Sequence, residues 1–335
     1  MRLANALLLA ISLTGCASVL GIKDSPETVI ATPDSDATNL VVASGYALWI
    51  DGQDTQAYLY SARIDGGGPI VKQSVQFLRT LASDGTSVCG YTIEGIDCFD
   101  PPTAATKFTV NVGASGLFDT RVADLIVVNG LVIWSESDLN PDESTNSYFI
   151  RTASADGSST TQNVVVQSTE SGGATAPYVP TTIAADSNNV YWLNGDTLES
   201  TPVGGGSAPT SIAKNVSNCD VLAVDATNLY CGAPSTNLAS AITVYPLAGG
   251  STSTLISDQI NSFATDGTFV YWTSSDGIKS NEPTGRLSKI PIGGGATVPL
   301  ASGQDNPSSI SVDATSLYWL IGGEAGIDAV LRAAK

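Results

Sequence analysis

Apolar residues come in short runs in this sequence, rich in Val, Ile, Tyr and Trp and cut by Gly, Asp, Asn and Ser, and no stretch keeps a helical period. The pattern predicts strands and tight turns. One phrase recurs: Asp186-Ser-Asn-Asn-Val-Tyr-Trp192, Asp225-Ala-Thr-Asn-Leu-Tyr-Cys231, Asp266-Gly-Thr-Phe-Val-Tyr-Trp272 and Asp313-Ala-Thr-Ser-Leu-Tyr-Trp319. Three weaker copies fit the same frame, Ala43-Ser-Gly-Tyr-Ala-Leu-Trp49, Asp84-Gly-Thr-Ser-Val-Cys-Gly90 and Val128-Asn-Gly-Leu-Val-Ile-Trp134. Their last positions are 41, 44, 58, 39, 41 and 47 residues apart, a period that suits propeller blades.

The sixth copy predicts the internal order of a blade. A short strand over 262–265 ends at Asp266-Gly267, and its partner over 269–273 is β-branched and aromatic. A third strand follows over 286–292, Gly293-Gly294-Gly295 supplies positive-φ positions for a turn, and a fourth strand runs over 297–301. These are strands a to d. The seventh copy stops after its c strand, 329–333, while Glu27-Thr28-Val29-Ile30-Ala31 reads as a d strand lying before the first a strand. Pairing 29–32 beside the last c strand would complete the blade and cover an exposed sheet edge. The fold class expected is therefore all-β: a seven-bladed β-propeller of four-stranded antiparallel blades, closed by its N-terminal strand. Six blades are the alternative, because the second copy is the least typical.

The Tyr-Trp pairs, each after an apolar strand ending in Asp, resemble the YWTD repeats of lipoprotein-receptor propellers over about residues 27 to 335. The chain departs from that motif in having seven copies and in lacking its Thr-Asp; Thr273 is the one partial match. The layout is also similar to TolB/NHL-type propeller lipoproteins of bacteria. Such likeness implies a fold and imports no active site.

The segment before the repeats reads as an address. Met1-Arg2 precede a mostly apolar run over 3–13, too short to span a bilayer but sized for a secretory h-region. The run ends in Leu13-Thr14-Gly15-Cys16, which resembles the bacterial lipobox and implies acylation of Cys16. Residues 1–15 are then a lipoprotein signal peptide, 16–26 a lipidated tether and 27–335 the propeller. In that family a residue other than Asp after the cysteine, here Ala17, goes with sorting to the outer membrane of Gram-negative cells. Four more cysteines in an oxidising compartment allow two disulfides. Cys89 with Cys98 and Cys219 with Cys231 are expected, since each pair brackets a predicted hairpin turn. Zinc held by all four cysteines is the rival, and it lacks a Cys-x-x-Cys pair.

Composition narrows the chemistry. The net charge of -18, from 14 Lys plus Arg and 32 Asp plus Glu, repels phosphate backbones, so nucleic acid is not an expected partner. There is no histidine, which removes Ser-His-Asp and Cys-His catalysis and the imidazole ligands of most catalytic metal sites. No catalytic residue is singled out. The recurrent Asp84, Asp186, Asp225, Asp266 and Asp313 are read as turn formers, and Trp49, Trp134, Trp192, Trp272 and Trp319 as fillers between adjacent sheets.

Function is expected on the rim that carries the b-to-c and d-to-a loops, which vary in length and cover 51–57, 135–147, 168–180, 232–240, 273–285 and 320–327. They hold Asp51, Asp54, Glu136, Asp138, Asp142, Glu143, Glu170, Asp276, Glu282 and Glu324 against Lys279 as the one base. An acidic face follows. Asp138, Asn140 and Asp142 place side-chain oxygens at alternate residues, as calcium loops begin, but Glu143 replaces the required Gly and Phe149 the bidentate Glu. A non-EF calcium site and a solvated loop both stay open, and no other cofactor is indicated. The expected function is that of a monomeric, non-enzymatic binding or scaffold protein whose partner is a protein or an envelope polymer. The alternative is a carboxylate-dependent hydrolase or lyase acting on carbohydrate, with or without calcium.

Overall fold

The structure, a computed structural model, describes residues 27–33, 37–52, 56–112, 121–139, 146–168, 179–233, 240–275, 284–322 and 328–335. Segments 1–15 and 16–26, Cys16 among them, lie outside these residues, as do Asn140 and Asp142; of Asp138 only the backbone is described. No described helix is long and apolar enough to cross a membrane.

Among the described residues all regular structure is β, in seven four-stranded antiparallel sheets. The a strands, in blade order, are Ala37–Ala43, Thr80–Ser83, Arg121–Val128, Ile183–Ala185, Val221–Val224, Ile260–Thr265 and Ser308–Val312. Each contacts the a strand of the next blade, and the last returns to the first. They surround a central channel of about 460 Å³ lined by residues such as Leu81, Leu125, Ile183, Leu222, Phe263 and Ile310. Blade two is complete, with Thr80–Ser83, Val88–Thr92, Gly95–Phe99 and Thr106–Val110, so the ring has seven blades rather than six.

The seventh sheet confirms the closure expected from the two chain ends. Thr28–Ala31 pairs antiparallel with the last strand, Ala329–Ala334, placing Thr28 opposite Arg332 and Val29 opposite Leu331. The pairing begins one residue earlier than the 29–32 segment predicted. It also covers the outer edge of a strand that would otherwise expose unpaired N–H and C=O groups.

The Tyr-Trp pairs lie in the b strands, whose neighbouring residues point to opposite faces of the sheet. Each Trp therefore packs against the preceding blade and each Tyr against the following one. Trp272 packs with Tyr230 and Ile242 of blade five, Trp319 with Tyr271 and Leu287 of blade six, and Trp49 with Tyr318 and Val330 of blade seven. Trp134 and Trp192 face blades two and three in the same way. All five indoles are at most 1% exposed, as sheet fillers should be.

Both disulfides have the expected partners. Cys89 and Cys98 stand directly opposite each other on strands b and c of blade two, with Cα atoms 4.0 Å apart. In blade five, Cys231 of strand b bonds to Cys219, which precedes strand a.

Candidate functional site

The two rims of the ring differ in construction. On one lie the a-to-b and c-to-d turns, alike from blade to blade. On the other, connections range from the single residue Gln259 to segment 169–182.

The uniform rim is built by the recurrent aspartates. Asp186, Asp225, Asp266 and Asp313 each accept, through Oδ1, the backbone N–H groups two and three residues ahead, and through Oδ2 the hydroxyl of the Tyr five residues ahead. Asp84 holds its turn likewise through Thr86 and Ser87, but its Oδ2 accepts the Gly130 N–H of the next blade. These carboxylates are turn formers that also clasp the tyrosines. Asp266 accepts a further bond at 2.8 Å from Lys335 Nζ. Burial works to raise its carboxyl, but Lys335 and the other donors prevail and hold it at about 2. Tyr191, buried and donating to Asp186, is pushed up to about 12.

On the variable rim, polar groups at the channel-side ends of the a strands tie three of the blades to the next. Asp124 Oδ2 accepts Ile183 N–H at 2.8 Å, Thr182 Oγ1 accepts Leu222 N–H at 3.1 Å and Ser262 Oγ accepts Ile310 N–H at 2.9 Å. Asp124 is the carboxylate of this series. Burial pushes it up to about 6, against the pull of the Ile183 and Leu125 N–H groups.

Farther out, carboxylates turn inward to the tryptophans. Glu136 is fully buried: Oε2 accepts the Trp134 indole N–H at 2.6 Å and Oε1 lies 2.7 Å from Arg151 Nη1. Asp258 accepts the Trp272 indole N–H at 3.0 Å and lies 3.3 Å from Arg286 Nη2. Burial favours its neutral form, yet the indole, the Gln259 N–H and Arg286 hold its carboxyl below the ordinary value.

Where its side chains are described, the rim expected to be acidic holds buried carboxylates. Of the ten acidic residues assigned to it, only Asp51 and Glu136 have described side chains, and both are buried, at 4% and 0% exposure. Glu136 is spent on Trp134 and Arg151 because it occupies the strand position two after Trp134, on the same face. Lys279 lies outside the described residues, and Arg151 and Arg286, on c strands beyond the loop segments, reach the carboxylates of Glu136 and Asp258. No group of three or more His, Cys, Asp or Glu side chains that could hold a metal occurs among the described residues. Of the proposed calcium ligands, Asn140 and Asp142 fall outside that set, and Asp138 has no described side chain.

Asp124, Asp258, Arg151 and Arg286 were not singled out in the sequence. A carboxylate inside the otherwise mostly apolar a strand Arg121–Val128 is the signal that could have found Asp124. Nothing local marks the other three, whose partners are brought to them by neighbouring strands and blades.

No family model matches the sequence, and no curated protein matches it. Solved structures match the fold. A puromycin-hydrolyzing peptidase from Mycobacterium tuberculosis superposes with a TM-score of 0.60 at 15% identity, over 91% of this chain and 54% of that one. Puromycin hydrolase complexed with PGG gives 0.59 at 13%, with the same two coverages. The chain thus spans about half the length of these enzymes. The β-propeller domain of the Trilobed protease from Pyrococcus furiosus matches nearly end to end, with a TM-score of 0.56, 9% identity, and 89% and 94% of the two chains covered. At these identities the likeness is one of fold: the chain is a seven-bladed β-propeller.

Proposed function

We propose that this propeller is anchored outside the cytoplasm by acylated Cys16, in the outer membrane of a Gram-negative cell, and binds a protein or envelope polymer through its variable rim without chemical turnover. One observation carries the reading. The same scaffold presents a rim of uniform, hydrogen-bonded turns and an opposite rim whose connections differ widely in length, the division of labour expected when loops on a rigid frame do the recognising. Two disulfides agree with an oxidising compartment. The YWTD-like and TolB/NHL-type resemblance supports a binding propeller of the bacterial envelope.

The test is cross-linking on intact cells. Wild type is compared with a variant in which 140–145 and 276–283 become Gly-Ser; these bounds spare Glu136 and the strands it supports. Loss of the captured partner is expected, and an unchanged set of partners would overturn the rim assignment. A Cys16→Ser variant should leave the membrane fraction.

A second reading, a carboxylate-dependent hydrolase or lyase on carbohydrate, is favoured by Asp124. Its carboxyl is pushed up to about 6, within the range of a general acid, at the channel-side end of a strand. Release of reducing sugar that disappears in Asp124→Asn would establish it; identical release by that variant would end it.

A further inference from the structure

The uniform rim contains one place where a repeat supplies its neighbour with an ammonium group and another where the same geometry has no such group. In six of the seven blades, blade two being the exception, the residue just after strand c docks under the a-to-b turn of its own blade, at the border with the preceding one. Lys335 N–H donates to Thr315 O, and in the same frame Leu247 N–H donates to Thr227 O and Ile292 N–H to Thr268 O. From that place the Lys335 ammonium reaches back to blade six and donates to Asp266 Oδ2, which also accepts the Tyr271 hydroxyl. Two blades earlier the corresponding carboxylate is Asp186, which accepts the Asn188 and Asn189 N–H groups on Oδ1 and the Tyr191 hydroxyl on Oδ2. There the docked residue is Leu247, which brings no charge.

The walls differ in the same sense. Opposite Tyr271, strand c of blade six carries Lys289, and opposite Lys289 strand d carries Val298. Opposite Tyr191 the equivalent places hold Ser200 and then Thr210. Lys289 lies over the Phe269 ring at 4.6 Å, and in blade four the position of Phe269 is taken by Asn189. Smaller, polar side chains leave a groove of about 450 Å³ between blades four and five, lined by Asp186, Asn189, Tyr191, Ser200, Thr210 and Leu247 among others. The two remaining Asp-Tyr clasps are finished differently. Opposite Tyr318 stands Arg332, whose Nε donates to Ser316 Oγ, and opposite Tyr230 stands Val244. Blade four thus combines an Asp-Tyr clasp, an uncharged polar wall and an open groove.

The geometry points to a binding site for one primary alkylammonium group in this groove, occupying for an outside ligand the place that Lys335 fills for Asp266. Asp186 Oδ2 would accept one N–H of the ligand. Because Tyr191 donates its own hydrogen to Asp186, its oxygen keeps lone pairs for a second. Ser200 and Thr210 line the path of the alkyl stem. The side chain of a partner protein's lysine and a free alkylamine share this chemistry. The site is on the rim opposite the proposed partner-binding loops, so it stands or falls independently of them.

The test is titration of the ¹⁵N-labelled protein with Nα-acetyl-lysine amide in moderate salt, which screens the general attraction of an acidic protein for cations. Nα-acetyl-norleucine amide serves as the uncharged control. Saturable shifts of the Asn188, Asn189 and Gly249 amides are expected with the lysine derivative and not with the control. Asp186→Asn should weaken binding about tenfold or more, the scale of a lost charge-assisted hydrogen bond. Leu247→Lys leaves Asp186 and its turn intact and should abolish binding by supplying the ammonium from within, as blade seven does for blade six. Absence of saturable shifts, equal shifts with norleucine, or undiminished binding in Leu247→Lys would each overturn the proposal. A butylamine arm separates the sources: binding as tight as that of the lysine derivative identifies free amines, and weaker binding a polypeptide lysine.

Discussion

Five blades close against their predecessors with tryptophan; blades two and five do not. Blade two has Gly90 at the Trp position and Cys89 at the Tyr position, and blade five keeps Tyr230 but has Cys231 in place of Trp. These are the blades that carry the two disulfides. A wedge between sheets can evidently be held by a large aromatic surface or by a smaller core with a covalent staple. In blade five the staple stands where Trp is missing, Cys231 facing blade four; in blade two it stands at the Tyr position and faces blade three. At the border of blades one and two, Leu78 and Leu81 occupy the space an indole would take, packed against Leu48, Ile50 and Leu59. At the next border, the Cys89–Cys98 pair is itself part of the surface on which Trp134 rests.

The comparison is broken most severely by removing an indole. Trp272→Ala should cost about 3 to 5 kcal/mol, the range for emptying a large buried aromatic site. It also strips Asp258 of its indole donor. A lower midpoint of urea unfolding would measure the loss. Converting Cys89 and Cys98 together to Ala should cost about 3 kcal/mol by releasing a short loop in the unfolded chain. If both disulfides replace aromatic filler, the Cys219/Cys231 double variant should lose a similar amount, and reductant should destabilise the parent but neither pair's loss should be additive with reduction of that same pair. Gly90→Ala should cost about 1 to 3 kcal/mol by overpacking. A Cβ there would lie 2.6 Å from both Leu78 Cδ1 and Thr80 O, so the wedge has no room for even a methyl group. The same change raises unfolding midpoints only if that border is looser than its contacts imply.

Much of this was legible in the chain. The blades, their order and the closure by Thr28–Ala31 follow from a phrase repeated seven times and from a strand missing at one end and spare at the other. The turn aspartates and both cysteine pairs were equally readable, because their partners lie within a few residues or across one hairpin. What the sequence hid depends on the contact of different blades or of non-adjacent positions on a strand. Glu136 reads as a loop carboxylate until the strand is seen to run on to Leu139, which places it on the face of Trp134 and within reach of Arg151, the residue opposite Trp134. Asp124 reads as an ordinary strand residue until Ile183 of the next blade is brought to it. The ammonium on Asp266 comes from Lys335, the last residue of the chain and 69 positions away, which no local pattern joins to that turn.

The smallest change tests whether the tyrosine of a stapled blade does the same work as that of an aromatic one. Tyr230 and Tyr271 have the same clasp, with hydroxyls 2.6 and 3.0 Å from Asp225 and Asp266. Tyr230→Phe keeps the ring and removes one donor to an ionised carboxylate, a loss of about 1.5 kcal/mol. Its pH dependence identifies the cause. Burial works to raise the Asp225 carboxyl, but the Tyr230 hydroxyl and the turn N–H groups outweigh it and hold it below its ordinary value. A carboxyl depressed in the folded state contributes stability above its unfolded pKa of about 3.9 and loses it as pH falls through the folded value. The difference between parent and variant should therefore be full at neutral pH and shrink below about pH 4. A difference that stays constant down to pH 2 would assign the tyrosine to packing alone, and the clasp in blade five would then be geometry without energetic weight.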